Sequence, residues 1–487
     1  MEGKKVGFIG LTAIVISAMV GGGIYNLPQS MAVNASAGSQ IIAWVITGVG
    51  MWFIANTFRI LAAVRPELKN GIYTYAERGF GKFVGFLISY GYWVCNCITM
   101  VAYGILIMST LNYFFPGVFG DGNNLFSLIG ASIVTWLMSL LASRGVRKGA
   151  IINIIGTIGK ILPVLIFIVA CLTVFQFSVF MEGFWGYAKS GAALSFNFGD
   201  VMDQVSGTMA VTLFLFIGIE GAVVVSGEAR SQSDVSKATT VGFLIALALY
   251  CIVSMLPLGL YSSTDIASMS DPSMAAIMQD KFGDWGAIVV NVGVLISVLS
   301  AWLVWILMLS QMPLFAARDG IFPKRFAKQN KHGAPSYSII WSTVIIQVVL
   351  ILCHFMKGNA WDEIIDISSV MCMPCYMMCA AFLWKVSAKG QWPQKSRFSK
   401  RNGLATGIIG TIFSLYLIYS SGLNYFLLAT VIYAIGIPLF IVGRRQAGEK
   451  GKLLALFTRG EKVLCAALLA LCIAGIIYAP ATHMFGM

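Results

Sequence analysis

Val6-Gly-Phe-Ile-Gly-Leu-Thr-Ala-Ile-Val-Ile-Ser-Ala-Met-Val20-Gly21-Gly22-Gly23-Ile24-Tyr25-Asn26-Leu27-Pro28 is an apolar run interrupted at its middle. A glycine inside a helix costs roughly 0.8–1 kcal/mol relative to alanine, and this run places three in succession. The interruption also frees backbone amides that lipid cannot satisfy. Such backbone persists at bilayer depth only where it is buried in protein or lines a watery cavity. Close packing of membrane helices also uses glycine. Three in a row, with a proline a turn later, favour a purposeful break.

The rest of the chain supplies the membrane setting. Its 487 residues are 58% hydrophobic and only 11% charged, with a mean hydropathy of +0.82. No soluble domain needs that much apolar surface, and a span needs about 20 apolar residues. Thirteen spans are expected, at roughly 6–36, 41–64, 83–114, 124–143, 150–174, 203–226, 238–261, 285–316, 337–356, 364–386, 404–421, 424–443 and 461–480. The third and eighth are long, which predicts tilt. Lys4 and Lys5 run straight into the first span without a small-residue cleavage site, so no cleaved signal peptide is expected.

A net charge of +13 raises the question of nucleic acid, and its distribution answers it. Basic residues precede span one (Lys4, Lys5), separate spans two and three (Arg65, Lys69, Arg78, Lys82) and follow span four (Arg144, Arg147, Lys148). They also follow span six (Arg230, Lys237), span eight (Arg318, Lys324, Arg325, Lys328, Lys331), span ten (Lys385, Lys389, Lys395, Arg397, Lys400, Arg401) and span twelve (Arg444, Arg445, Lys450, Lys452, Arg459, Lys462). The alternate loops carry only Lys189, Lys281 and Lys357. By the positive-inside rule the amino terminus is cytoplasmic, and a thirteenth span puts the carboxyl terminus outside. The basic charge sets orientation and implies no nucleic-acid partner.

All ten cysteines fall within expected spans. Cys372-Met-Pro-Cys375 has redox or zinc spacing, but no histidine or carboxylate flanks it closely, and buried cysteine packs as a small apolar residue. His332, His354 and His483 sit in a loop, near a helix end and in the tail. No nucleophile elbow, zincin motif, phosphate loop or pair of intramembrane acids appears. An enzyme is therefore not expected, and neither a cofactor nor a metal.

A second break lies in span six, at Thr212-Leu-Phe-Leu-Phe-Ile-Gly-Ile-Glu220-Gly-Ala. Spans one and six each open a set of five, and matched interruptions suggest an inverted-repeat transporter. A half-helix starting near Ile24 offers unpaired amides and a positive dipole end, suited to a carboxylate. The half-helix ending near Val20 offers carbonyls and a negative end, suited to an ammonium. The break at Phe216–Gly218 offers the same pair from the opposite direction. A zwitterionic amino-acid backbone matches both.

Other groups at this depth are candidates. Glu220 is an acid in an apolar helix, and intramembrane acids are functional candidates by default; the alternative is a carboxylic acid bonded to a neighbouring helix. Lys160 in span five can fill a cation site, exchange a proton, or reach the inner surface. Trp305 lies too deep for an interfacial belt, so its face can hold a cationic side chain, and Phe214 and Phe216 can join the same cage. Thr99 and Met100 in span three, and Tyr376 in span ten, fit packing better than contact.

At this point the chain resembles the amino acid–polyamine–organocation superfamily. The stretches that carry the likeness are Gly21-Gly-Gly-Ile-Tyr-Asn-Leu-Pro28, Gly71-Ile-Tyr-Thr-Tyr-Ala-Glu-Arg-Gly-Phe-Gly81, Phe216-Ile-Gly-Ile-Glu220 and Ala317-Arg-Asp-Gly-Ile-Phe-Pro323. It is most similar to the basic amino acid/polyamine antiporters, especially the arginine/ornithine branch. The resemblance implies an all-α polytopic membrane protein with a five-plus-five inverted-repeat (LeuT-like) fold, discontinuous helices 1 and 6 and 12–13 transmembrane helices. The expected organisation is a single transporter core over 1–443, with repeat one at about 6–175, repeat two at about 200–386 and accessory helices at about 404–443. A cytoplasmic loop and a thirteenth helix occupy 444–487.

The resemblance further implies that Gly21, Gly22 and Gly23, with Ile24, bind the substrate carboxylate. Backbone carbonyls around Phe216, Ile217 and Gly218 take the amino group. Phe214 matches an aromatic gate, Trp305 an aromatic wall, and Tyr92 with Glu220 a pair that closes the cytoplasmic side. Lys160 matches a lysine standing where sodium-coupled cousins bind sodium, implying sodium independence. The arginine/agmatine exchangers carry Trp, Ser and Asn where this chain has Phe214, Gly22 and Met100. The expected activity is exchange of an external cationic amino acid for ornithine or a decarboxylated amine. Histidine/histamine or lysine/cadaverine exchange and proton-coupled amino-acid symport are the alternatives. The expected partners are amino-acid and amine substrates and the lipid bilayer, with a homodimer compatible. The expected location is the plasma membrane (a cell inner membrane).

Overall fold

The computed structural model describes residues 7–68, 72–144, 149–187, 191–221, 229–356, 359–390, 392–394, 396–449 and 453–478, with the side chains of 149–155, 157, 158 and 232 left out. Lys4, Lys5, Lys69, Gly71, Arg147, Lys148, Lys189, Lys357, Lys395, Lys450, Lys452, His483 and the stretches 222–226 and 479–480 of spans six and thirteen lie outside the described residues.

Span one divides where the glycines predict. α1 (Phe8–Met19) stops at Val20, a 3-10 turn covers Gly22–Tyr25, and α2 (Leu27–Ala32) resumes with Pro28 in its first turn. Proline fits there because its missing amide is one that helix starts leave unpaired anyway. α3 (Ala37–Val64), α5 (Lys82–Phe114), α6 (Leu125–Ser143) and α7 (Gly149–Val174) are spans two to five. Between spans two and three, where a plain connection is expected, lies α4 (Ile72–Phe80). Its buried Ile72, Tyr73, Tyr75, Ala76 and Gly79 recur at helical spacing and make one apolar face.

After the short α8 (Phe177–Met181), the first half of span six is α9 (Phe198–Phe216), capped by the Asn197 side chain, which accepts from the Asp200 amide at 3.2 Å. α10 (Gln232–Met255) is span seven, followed by the short helices α11 (Ser263–Ala267) and α12 (Ser273–Phe282). α13 (Asp284–Arg318), α14 (Ser336–His354) and α15 (Ala360–Ala388) are spans eight to ten. α16 (Lys400–Ser420) is span eleven, and α17 (Gly422–Ile435) with α18 (Ile437–Gln446) forms span twelve, jointed at Gly436. α19 (Arg459–Tyr478) is the thirteenth span.

Ten of these helices, α17 and α18 counted together, are long and apolar enough to cross a membrane among the described residues. Spans one, five and six complete the set as interrupted or partly described helices. The protein is a multi-pass membrane protein.

The packing carries the repeat. Span one (α1) lies against span seven (α10), and span six (α9) lies against span two (α3). Exchanging each span for the one five places away turns the first contact into the second. The contact of span three (α5) with span ten (α15) maps in the same way onto span eight (α13) with span five (α7). The contacts of three with eight and of four with nine map onto themselves. A two-fold relation between the two sets of five explains all of these together.

Two motifs of the sequence meet at the ends carrying the basic loops. Tyr73 of α4 donates to Asp319 Oδ2 at 2.6 Å, joining the Gly71–Gly81 and Ala317–Pro323 stretches. Burial, with Asp319 close by, raises the Glu77 carboxyl above its usual range. α19 is docked at the same end by a capping box. The Glu461 amide donates to Thr458 Oγ1 at 3.3 Å, and Glu461 Oε2 accepts from the Thr458 amide at 2.8 Å. The second oxygen, Glu461 Oε1, accepts from the Phe83 amide at 2.7 Å and so caps the start of α5.

Candidate functional site

The two breaks face each other. α9 ends at Phe216, Ile217 is extended (φ −60°, ψ 126°), and Gly218 takes φ +105°. That left-handed conformation suits glycine. Gly218 also presses on span one: a Cβ there would lie 2.9 Å from the Ala18 carbonyl oxygen and 3.0 Å from its carbon. The unwound part of span six thus meets the carbonyl end of α1 directly, with no room for a side chain.

The glycines of span one are closed over by their neighbours. A Cβ on Gly21 would come 2.5 Å from Tyr103 Oη, one on Gly22 would come 2.9 Å from Leu106 Cδ2 and 3.1 Å from Val298 Cγ2, and one on Gly23 would come 3.1 Å from Phe214 Cε1. Tyr103 also shares a hydrogen bond with the Gly22 backbone. Phe214 therefore stands beside the break. Tyr103 was not singled out from sequence, although it stands one turn beyond Thr99 and Met100 on the same helix. Ile24 is buried in the 3-10 turn, and Tyr25 of that turn donates to the Gly159 and Lys160 carbonyls, each at 3.1 Å.

Lys160 answers to the same end of α1. It is 3% exposed, and its Nζ donates to the Ser17 carbonyl at 2.9 Å and to Ser17 Oγ at 3.0 Å. An ammonium there complements the negative end of the α1 dipole. The side chain does not run to the surface.

Glu220 lies just past the span-six break, 1% exposed. Tyr92 of span three donates to its Oε1, and Tyr376 of span ten donates to its Oε2 at 2.9 Å. Each oxygen thus accepts one phenol proton, and three spans are tied at one carboxyl group. Tyr376, a weaker sequence candidate, belongs with this triad.

The remaining candidates are more scattered. Phe216 packs against Phe243 and Tyr250, each at 5.4 Å between ring centroids, on the span-seven side. Thr99 Oγ1 donates to the Cys95 carbonyl at 3.0 Å, and Met100 is fully buried. Trp305 is buried in α13. Its neighbour Trp302 meets the Tyr103 ring edge-on at 6.5 Å.

An inverted-repeat bundle of membrane helices, with two interrupted helices abutting at mid-depth, defines a secondary transporter. The chain belongs to the amino acid permease family of the amino acid–polyamine–organocation superfamily, whose family model matches residues 6–442. It is 49% identical over 478 residues, 98% of each chain, to a Clostridium perfringens (strain 13 / Type A) protein named only as a candidate amino-acid transporter. It is 44% identical over 449 residues to the arginine/agmatine antiporter of Chlamydia pneumoniae, covering 92% of this chain and 91% of that one. The arginine/agmatine antiporter of Chlamydia trachomatis serovar L2 is 41% identical over 446 residues, 91% of each chain. Among solved structures, the crystal structure of MhsT in complex with L-phenylalanine matches with a TM-score of 0.58, at 16% identity, over 84% of this chain and 98% of that one. That likeness shows a shared fold. The protein is an amino-acid transporter, and not an enzyme.

Proposed function

We propose that this transporter takes up an external cationic amino acid, arginine or a close analogue, and releases an internal product by alternating access. The observation that carries the reading is the meeting of the two breaks, Gly218 on the Ala18 carbonyl, with the Gly21–Gly23 amides a few residues away. That arrangement offers amides to a carboxylate and carbonyls to an ammonium within one site. The relatives named as arginine/agmatine antiporters support a decarboxylated amine as the exchange partner, with ornithine the other product considered.

In this reading Gly21, Gly22, Gly23 and Ile24 hold the carboxylate after Tyr103 and Leu106 give way. The Phe216, Ile217 and Gly218 backbone takes the amino group. Phe214 gates, Trp305 walls the side chain, and Thr99 and Met100 line span three. The Tyr92–Glu220–Tyr376 triad closes the side carrying the basic loops, which is cytoplasmic with the amino terminus. Lys160 supplies a fixed cation, so no sodium is needed. Residues 1–443 act as one transporter unit.

Exchange needs no ion gradient when substrate and product share one site, because each resets the carrier for the other. The test is labelled arginine uptake into proteoliposomes loaded with agmatine, ornithine, or buffer alone under an imposed pH gradient. Uptake that depends on internal amine supports exchange. Equal uptake by empty vesicles under the pH gradient selects proton-coupled symport instead. Greater stimulation by internal histamine or cadaverine, with the matching amino acid outside, selects the histidine or lysine pair.

A further inference from the structure

A group of carboxylates lies one layer beyond Phe214, at the end of the bundle opposite the basic loops. Asp362 and Asp366 stand one turn apart near the start of α15, with Glu363 beside them. Asp271 comes from a different element, the connection leading into α12. That connection is pinned to span one: the Ser273 amide donates to Asn26 Oδ1 at 2.9 Å, and the Gln29 amide donates to Ser273 Oγ at 3.2 Å. The Asp271 carboxylate accepts from Asn26 and Asn359. It therefore bridges the half-helix after the first break to the cap of α15. Asp362 feels the repulsion of Asp271, Asp366 and Glu363, and Asp121 adds its own to Asp271.

Two observations separate this group from an ordinary solvated acidic face. Asp271 Oδ1 is buried and has no hydrogen-bond partner. The ion pairs found among the described residues are Arg65–Glu67, Lys82–Glu449, Lys281–Asp280 and Arg444–Glu449, so none neutralises this group. Tyr425 donates to Glu363 Oε2 at 2.8 Å and also bonds Asp366, which leaves Asp362 without a side-chain donor. Nor are the acids gathered tightly enough for a metal ion: no cluster of three metal-ligating side chains occurs among the described residues. Spread, partly desolvated negative charge suits a diffuse organic cation.

The group also stands at the doorway of the breaks. Trp361, next to Asp362, donates Nε1–H to Ser30 Oγ at 3.2 Å, and its ring meets Phe214 edge-on at 6.2 Å. Phe214 rests in turn on Gly23. That aromatic pair links the element bearing the acids to the span-one glycines.

We infer that Asp271, Asp362 and Asp366 form an outer capture subsite for the ammonium or guanidinium group of the substrate, entered before its carboxylate reaches Gly21–Gly23. This rests on the cationic-substrate reading above and adds the place where the charge is selected. Lys357, two residues before Asn359, lies outside the described residues.

The test uses full-length protein in proteoliposomes loaded with agmatine, reading the external KM for arginine and the inhibition constant of citrulline, its uncharged isostere. In Asp271→Asn, and separately in the double variant Asp362→Asn with Asp366→Asn, the arginine KM should rise about tenfold, the scale of electrostatic focusing. The citrulline constant should change less than about twofold. Wild-type arginine KM should also rise from about 50 to about 500 mM salt while the citrulline constant stays flat, because added salt shortens the screening length. An arginine KM within twofold of wild type in both variants overturns the subsite, as does an equal rise for citrulline. If neither variant purifies as a monodisperse protein, the wild-type salt series decides, and a flat arginine KM overturns it. Absence of arginine uptake by the wild type defeats the cationic-substrate reading itself, a different result from normal uptake with unaltered variants.

Discussion

Gly218→Ala tests the contact on which the site is built. Two costs apply at that position. Gly218 has φ +105°, and holding an L-residue in left-handed backbone costs about 1–2 kcal/mol. The new methyl would also sit 2.9 Å from the Ala18 oxygen and 3.0 Å from the Ala18 carbon. These are backbone atoms and cannot rotate aside, so overpacking adds about 1–3 kcal/mol. Together the penalty is about 2–5 kcal/mol on any state in which the two breaks touch. If only about 1.4 kcal/mol of it falls on the step that rejoins them, exchange slows about tenfold. The assay pairs thermal unfolding in detergent with arginine–agmatine exchange on the same preparation. A lowered unfolding midpoint with at least tenfold slower exchange is expected. Wild-type values for both would mean that the abutting breaks are no part of the working cycle.

Further expectations concern the buried charges. Glu220→Gln keeps the side-chain volume but weakens the acceptor for Tyr92 and Tyr376, so exchange should slow more than arginine affinity, read by titration calorimetry; equal losses would indicate a purely structural acid. Lys160→Met removes the ammonium bonds to Ser17, each worth about 1.5–3 kcal/mol as a charge-assisted bond, and should lower the unfolding midpoint; an unchanged midpoint would contradict the geometry. Burial pushes the Asp271 carboxyl up to about 6 from an ordinary 3.8. A folded-state value above the unfolded one means the native chain holds the proton more tightly, so the ionised form opposes folding above pH 6 and that opposition fades toward about pH 4. Asp271→Asn should therefore raise the unfolding midpoint more at pH 7.5 than near pH 4, and equal gains at both would refute the assignment. Tyr73→Phe removes the bond to Asp319 and should cost about 1 kcal/mol, measured by the same unfolding assay.

The breaks were legible because their chemistry is local. A glycine triplet followed by a proline contradicts a continuous helix wherever it lies, and an acid such as Glu220 within an apolar run announces itself. Span limits were legible for the same reason: the expected 83–114 is α5 at Lys82–Phe114. What depends on distant pairing was not. Tyr103 lies within a helix 33 residues long that is apolar on every side, and no periodic signal says which face meets Gly22. Thr99, on the same helix, gave no better clue. Asp271 and Asp362 are joined only through the fold, by way of Asn26 and Asn359. α4 is not legible as a separate element because nine residues are too few to stand out between two long spans. The Tyr92–Glu220 pairing came from family likeness, and the structure adds Tyr376 as its third member.

The docking of Glu461 on the Phe83 amide has a mechanical consequence. The last helix grips the tip of the helix that bears Tyr92, Thr99, Met100 and Tyr103. Whatever tilting the broken pair undergoes, it does so against a wall bolted down at its base, and a chain cut short before residue 459 would leave that wall with a loose footing.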